Sequence, residues 1–123
     1  GGGGTIVNNG SMAGIAGVGT MTPYSASKHA VAGMTKSLAL AYGYLNIRIN
    51  FHGPGATETP MYDESVTNVM AFRKANPDLS VPSKIKGPLG RNQTAEEQAE
   101  VACFLLSEAS SAMTGSIVIA DCG

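Results

Sequence analysis

The period of the apolar positions changes along this chain, and each change marks an element. Thr5-Ile6-Val7-Asn8-Asn9 follows glycines and is rich in β-formers, which predicts a short buried strand. Glycine and small residues dominate residues 10–22, as they do in loops. From Tyr24 to about Tyr42 there is no proline and much alanine. Ala30, Val31, Met34, Leu38 and Ala41 recur at helical spacing, so this is the best helix in the chain. Its small residues, Ser27, Ala30, Gly33, Ser37 and Ala41, allow close approach to a sheet or another helix. Residues 46–51 read as a second strand, with Ile47 and Ile49 alternating with Arg48 and Asn50. A helix between two strands implies a βαβ unit with a parallel pair.

Residues 54–60 begin and end with proline and break the pattern. Residues 61–74 are weakly helical. Residues 76–92 carry prolines, glycines and alternating charge, which predicts a mobile loop. Thr94-Ala95-Glu96-Glu97 has the form of a capping box, in which the Thr hydroxyl and the Glu carboxylate each accept from the other's backbone amide. The helix behind it is predicted to bury Val101, Ala102, Phe104, Leu105 and Leu106. Thr114-Gly115 reads as a turn and residues 116–120 as a last strand. There is no internal repeat and no domain boundary, so residues 1–123 are taken as one unit.

Composition narrows the function classes. A chain of 123 residues suffices for one domain with a modest core. With 43% hydrophobic and 14% charged residues it is globular rather than disordered. A net charge of −1, no Trp and no basic cluster argue against a nucleic-acid or anionic-membrane surface. No apolar run approaches the ~20 residues of a membrane span, and no secretory pattern opens the chain. Cys103 and Cys122 have no metal spacing and read as reduced thiols of a cytoplasmic protein. His29 and His52 have no ligand partner at useful spacing, so no metal is expected. Glu96, Glu97 and Glu100 read as a solvated helix face that favours the positive helix N-terminus.

The candidate chemistry lies in Tyr24-Ser25-Ala26-Ser27-Lys28, with Ser11 upstream. Positions i and i+4 share a helix face, so Lys28 can reach the neighbourhood of the Tyr24 hydroxyl. A cation ~4 Å from a phenolate is worth roughly 4 kcal/mol at an effective dielectric of about 20, and desolvation opposes it. That pairing makes a phenol a candidate proton-transfer group. Gly10-Ser11-Met12-Ala13-Gly14-Ile15-Ala16 echoes a dinucleotide fingerprint. It is rejected because no helix follows at once and the first acidic residue in the chain is Glu58.

Ser11, Tyr24 and Lys28, with Ser11 to Gly14 after a strand and Arg48-Ile49-Asn50 followed by Pro54-Gly55, resemble the active-site half of the short-chain dehydrogenase/reductase family. The resemblance runs from Gly4 to Gly123 and covers the second half of that family's domain. It implies an α/β fold: a partial Rossmann-like, doubly wound parallel sheet of three strands with flanking helices, the N-terminal half missing. It implies an NAD(P)-dependent oxidoreductase that interconverts a secondary alcohol and a ketone. By resemblance Tyr24 is the general acid/base, Lys28 steadies the phenolate and binds the nicotinamide ribose, and Ser11 holds the substrate oxygen. Pro54, Gly55, Thr57 and Thr59 would line the nicotinamide, with His52 at the border of that pocket. Cofactors would be NAD or NADP, the substrate a small alcohol or ketone, and the assembly a homo-oligomer (dimer or tetramer) paired through the helix of Tyr24.

The family's phosphate loop, ribose-selecting residue and catalytic Asn precede Gly1. The chain alone is therefore expected to be inactive, with an unpaired edge on its first strand that invites self-pairing. A remnant that binds no dinucleotide is the alternative reading. The Tyr-x-x-x-Lys pair would also serve an epimerase or dehydratase.

Overall fold

The computed structural model describes residues 2–79 and 87–123. Strands β1 (Gly4–Asn9), β2 (Ile47–Pro54) and β3 (Ile117–Ala120) lie side by side in that order, and both pairs are parallel. Parallel neighbours need crossovers. Helix α1 (Thr22–Tyr42) supplies the first, and α2 (Pro60–Ala75) with α3 (Ala95–Leu106) the second. Phe51 meets the 3₁₀ turn Met12–Gly14 on the α1 side of β2, whereas Arg48 and His52 reach α3 and the turn behind it on the other side. The sheet is thus covered by helix on both faces, as a partial Rossmann-like fold requires.

Several sequence expectations need correction. Strand β1 is not buried: Ile6 is 46% exposed, because β1 has β2 on one side and no described strand on the other. Strand β2 runs on to Pro54, and Ile49, Asn50, Phe51, His52 and Gly53 are all buried. Its alternation of apolar and polar residues is therefore not an in–out alternation; the middle strand of a covered sheet has no solvent face. Its polar side chains are satisfied internally instead. Arg48 donates to the carbonyls of Leu105, Ser107, Ser110 and Met113 at 2.9–3.4 Å, answering carbonyls at the end of α3 and in the turn behind it. Asn50 donates to the Met113 carbonyl at 2.8 Å and accepts from the Ser116 amide at 3.1 Å, which sets the start of β3.

Helix α1 begins at Thr22, with Pro23 in its first turn where the missing N–H costs nothing. Its buried residues are Ala32, Thr35 and Ala39, while Ala30, Met34 and Ala41 face solvent. The chosen face is the one with the smaller side chains, and Thr35 is accommodated there by donating to the Val31 carbonyl and accepting from Asn8. Helix α2 is continuous rather than weak, yet buries no residue. In α3 only Gln98 and Leu105 are buried; Phe104 (43%) and Leu106 (48%) are exposed, against expectation. Of the loop predicted over residues 76–92, residues 80–86 lie outside the described residues.

The capping box at Thr94 is present. The Thr94 hydroxyl accepts from the Glu97 amide at 3.2 Å, and the Glu97 carboxylate accepts from the Thr94 amide at 2.9 Å. Glu97 is also paired with Arg91 at 2.6 Å, so it is not simply a solvated acid. The Arg91 guanidinium and the Thr94 amide hold its carboxyl at about 2, below its ordinary 4.5. A depressed carboxylate stabilises the fold fully above its unfolded value, and that support is lost as pH falls from 4.5 towards 2. Acid titration followed by helical circular dichroism should show this loss in the native chain. Glu97→Gln should remove that part of the pH dependence, and an identical profile in the variant would refute the assignment.

Candidate active site

The site begins where β1 ends. The Gly10 amide donates to the His52 carbonyl at 2.7 Å, and a Cβ on Gly10 would lie 2.0 Å from the Phe51 ring. Glycine therefore lets the chain pass over Phe51 and deliver Ser11 to the carboxyl end of the sheet. Ser11 caps the 3₁₀ turn Met12–Gly14, its Oγ accepting from the Ala13 amide at 3.1 Å. That bond uses a lone pair and leaves the hydroxyl proton for another acceptor. Gly14 is equally constrained, since a Cβ there would meet Phe51 at 2.8 Å and the Lys28 carbonyl at 2.9 Å. The glycines of residues 10–16 thus serve packing, in keeping with the rejected fingerprint.

Tyr24 and Lys28 occupy the first turns of α1, both half-buried. The Lys28 ammonium lies over the Tyr24 ring, 5.5 Å from its centroid. The pair is on one side of the helix, as the spacing predicts, with the ammonium against the ring face. A cation–π contact of this kind contributes ~0.5–1 kcal/mol.

The third part issues from β2. Pro54 is its last residue, and the Gly55 amide donates to the Ala120 carbonyl at 3.0 Å. A Cβ on Gly55 would lie 2.6 Å from the Asp121 backbone, so this approach of two chain segments needs glycine. Thr57 Oγ1 donates to the Gly55 carbonyl at 3.2 Å, and Thr59 Oγ1 donates to the Thr57 carbonyl at 3.3 Å. Thr59 is also the N-cap of α2, accepting from the Tyr62 amide.

Ser11, Tyr24, Lys28, Pro54, Gly55, Thr57 and Thr59 all line one cleft of about 720 Å³. A smaller hollow of about 420 Å³ adjoins it through Met21, Met61 and Ser65, and is bounded by Glu64, Asn68 and Phe72. The cleft offers a phenol, an ammonium, a serine hydroxyl and turn backbone. The donors fit the nicotinamide end of a dinucleotide. Among the described residues the glycine-bearing turn that leaves β1 enters only the three-residue 3₁₀ turn Met12–Gly14, and α1 begins eight residues later, so this turn lacks the strand–turn–helix form of a pyrophosphate cradle. No cluster of metal-binding side chains occurs among the described residues, and none of their helices is long and apolar enough to cross a membrane.

Sequence reasoning placed His52 at the pocket border and missed Gln98 beneath it. Both line the cleft while only 3% and 8% exposed, and they are joined at 2.8 Å. The signal was available: Gln98 occupies the apolar stripe of α3 with Ala102 and Leu105, and an amide on that stripe needs a buried partner.

A family model described as "Enoyl-(Acyl carrier protein) reductase" matches residues 1–123. The chain is 39% identical over 120 residues to the 2,5-dichloro-2,5-cyclohexadiene-1,4-diol dehydrogenase of Sphingobium indicum, covering 98% of this chain and 45% of that one. It is 40% identical over 121 residues to the cyclohexanol dehydrogenase of Acinetobacter sp., covering 98% and 43%. The crystal structure of a short chain dehydrogenase from Mycobacterium paratuberculosis bound to NAD superposes with a TM-score of 0.82 at 33% identity, covering 98% of this chain and 45% of that one. The chain spans about half the length of the curated relatives it matches.

Proposed function

Because this chain belongs to the short-chain dehydrogenase/reductase family, we propose that it forms the catalytic half of an NAD(P)-dependent oxidoreductase acting on a secondary alcohol or ketone. The observation that carries this is the gathering of Ser11, Tyr24 and Lys28 with residues 54–59 around one cleft. When bound, the dinucleotide supplies the hydride acceptor or donor at the nicotinamide ring. In the oxidation direction the Tyr24 oxygen takes the alcohol proton as the carbonyl forms, and in reduction it returns that proton. The Lys28 ammonium stands beside the Tyr24 ring and can bind a ribose hydroxyl. The free proton of Ser11 bonds the substrate oxygen and steadies charge developing there. Backbone groups of residues 54–59, shaped by Pro54, Gly55, Thr57 and Thr59, orient the carboxamide.

The named substrates of the two dehydrogenases are ring alcohols, and the adjoining hollow has walls of Met21, Met61, Val69 and Phe72. A cyclic, largely apolar secondary alcohol fits that lining. The outward face of α1, with Ala30, Met34, Ser37 and Ala41 exposed, is the surface through which two copies would pair.

One observation favours a second reading for the isolated chain, a remnant that binds no dinucleotide: the described cleft has no pyrophosphate cradle. Titrating NADH and NADPH against this chain, followed by cofactor fluorescence, separates the two. Saturable binding below millimolar supports the enzyme reading. Absence of binding here, with binding restored when a glycine-rich strand–helix half is supplied, supports an enzyme that needs both halves. Absence in both cases leaves the remnant. Sedimentation of the same samples reads the pairing.

A further inference from the structure

We infer that Gln98 is a positioning residue, tying the floor of the cleft to the segment that receives the nicotinamide; this rests on the reading above. Three bonds fix its side chain. Gln98 Nε2 donates to the Ala120 carbonyl at 2.9 Å, and that oxygen can only accept. The amide orientation is therefore determined, and Oε1 must face His52, which it meets at 2.8 Å. His52 in turn must carry its proton on Nε2, because an amide oxygen offers none. The remaining amide proton points to Gln93 Oε1 at 3.4 Å, so one buried side chain connects β2, the end of β3 and Gln93.

Gln93 carries the connection to the ligand side. Its amide donates to the Ala56 carbonyl at 3.1 Å, and its carbonyl accepts from the Glu58 amide at 2.8 Å. Residue 93 thus pairs like a strand residue with Thr57, the middle of the proposed carboxamide-binding segment. Gln93 is itself 4% exposed and its Oε1 would lie 3.0 Å from a Cβ on Gly55. An apolar floor would fill the same space without fixing direction. The amide fixes it: if Gln98 cannot hold Gln93, residue 93 is tied to the 56–58 segment by two backbone bonds alone, and that segment otherwise has only the local bonds of Thr57 and Thr59. The consequence falls on cofactor affinity, because the substrate-side residues Ser11 and Tyr24 are held by other elements.

The test compares Gln98→Leu with the pair His52→Val/Gln98→Leu. The single variant strands a buried imidazole N–H and should lower the melting temperature; the pair removes the imidazole as well and should recover most of that loss, leaving the weaker 3.4 Å bond to Gln93 unmade. A purely structural role predicts that the pair behaves as wild type throughout. A positioning role predicts that amide exchange at Glu58 and Gln93 stays about tenfold or more faster in the pair. In the full-length enzyme it also predicts a KM for the dinucleotide raised about tenfold, with the KM for the alcohol unchanged. Exchange at wild-type rates, or fast exchange with an unmoved dinucleotide KM, would overturn the inference. Wild-type protein is assayed first: no turnover with Gln98 intact refutes the oxidoreductase reading instead, and the exchange comparison in the unliganded chain still decides whether Gln98 holds the segment.

Discussion

Tyr24→Phe in the full-length enzyme is expected to lower kcat/KM for an alcohol by 10²–10⁴-fold, the usual worth of a positioned general acid/base. At 1.36 kcal/mol per decade this is about 3–5 kcal/mol of transition-state stabilisation. The variant isolates the proton-transfer role because Phe keeps the ring over which the Lys28 ammonium lies. Folding should therefore be unchanged. Lost proton transfer should appear mainly in kcat, since the oxygen acts in the transition state and Ser11 still holds the substrate. A variant that retains activity within about tenfold of wild type removes Tyr24 from the chemistry. A variant whose KM alone rises would make the hydroxyl a binding group.

The largest effect on stability should come from Phe51→Ala, at about 3–5 kcal/mol. Phe51 is 0% exposed and sits in the middle strand, with Gly10, Gly14 and Gly53 all close enough that a Cβ on any of them would meet its ring. Three glycines moulded to one ring leave little that can collapse into the vacated volume, which places the cost at the upper part of the range. A domain stability of ~5–15 kcal/mol makes such a loss a large fraction of the whole. Urea unfolding followed by circular dichroism measures it, and a loss below about 1 kcal/mol would show that the pocket closes. Because Gly10 leads directly into Ser11, the same substitution should also loosen the serine. Ala at Gly10 should add little to a chain that already lacks the ring, since both changes act on one contact.

Much of the fold was legible where local chemistry decides it. The Thr94 capping box needs only residues within one turn, and Tyr24 and Lys28 needed only helical periodicity. The parallel β1–β2 pair followed from the length of the helix between them. What could not be read depended on partners far along the chain. Arg48 looked like the outward residue of an alternating strand, yet its acceptors lie at Leu105, Ser107, Ser110 and Met113. Which face of α1 is buried could not be read from its apolar spacing: Ala30, Met34 and Ala41 on that spacing are exposed, while Ala32, Thr35 and Ala39 are buried and Asn8 bonds to Thr35. Phe104 and Leu106 were expected in the core as apolar residues of the helix behind the capping box, but sheet coverage decides burial, and neither is buried among the described residues. The candidate site residues were named by resemblance to a family. The amide beneath them was not, because Gln98 gains meaning only when Ala120, His52 and Gln93 converge on it.

The two sides of the cleft do not rest on equal footings. Among the described residues, Pro54 and Gly55 leave a strand with a neighbour on each flank, whereas Ser11 leaves one with a neighbour on a single flank. Strand ends held from one side open at lower free energy than those held from both. The serine hydroxyl should therefore wander before the nicotinamide wall does. Any strand that docks along that rim would act as a splint for Ser11 and so govern turnover without touching substrate.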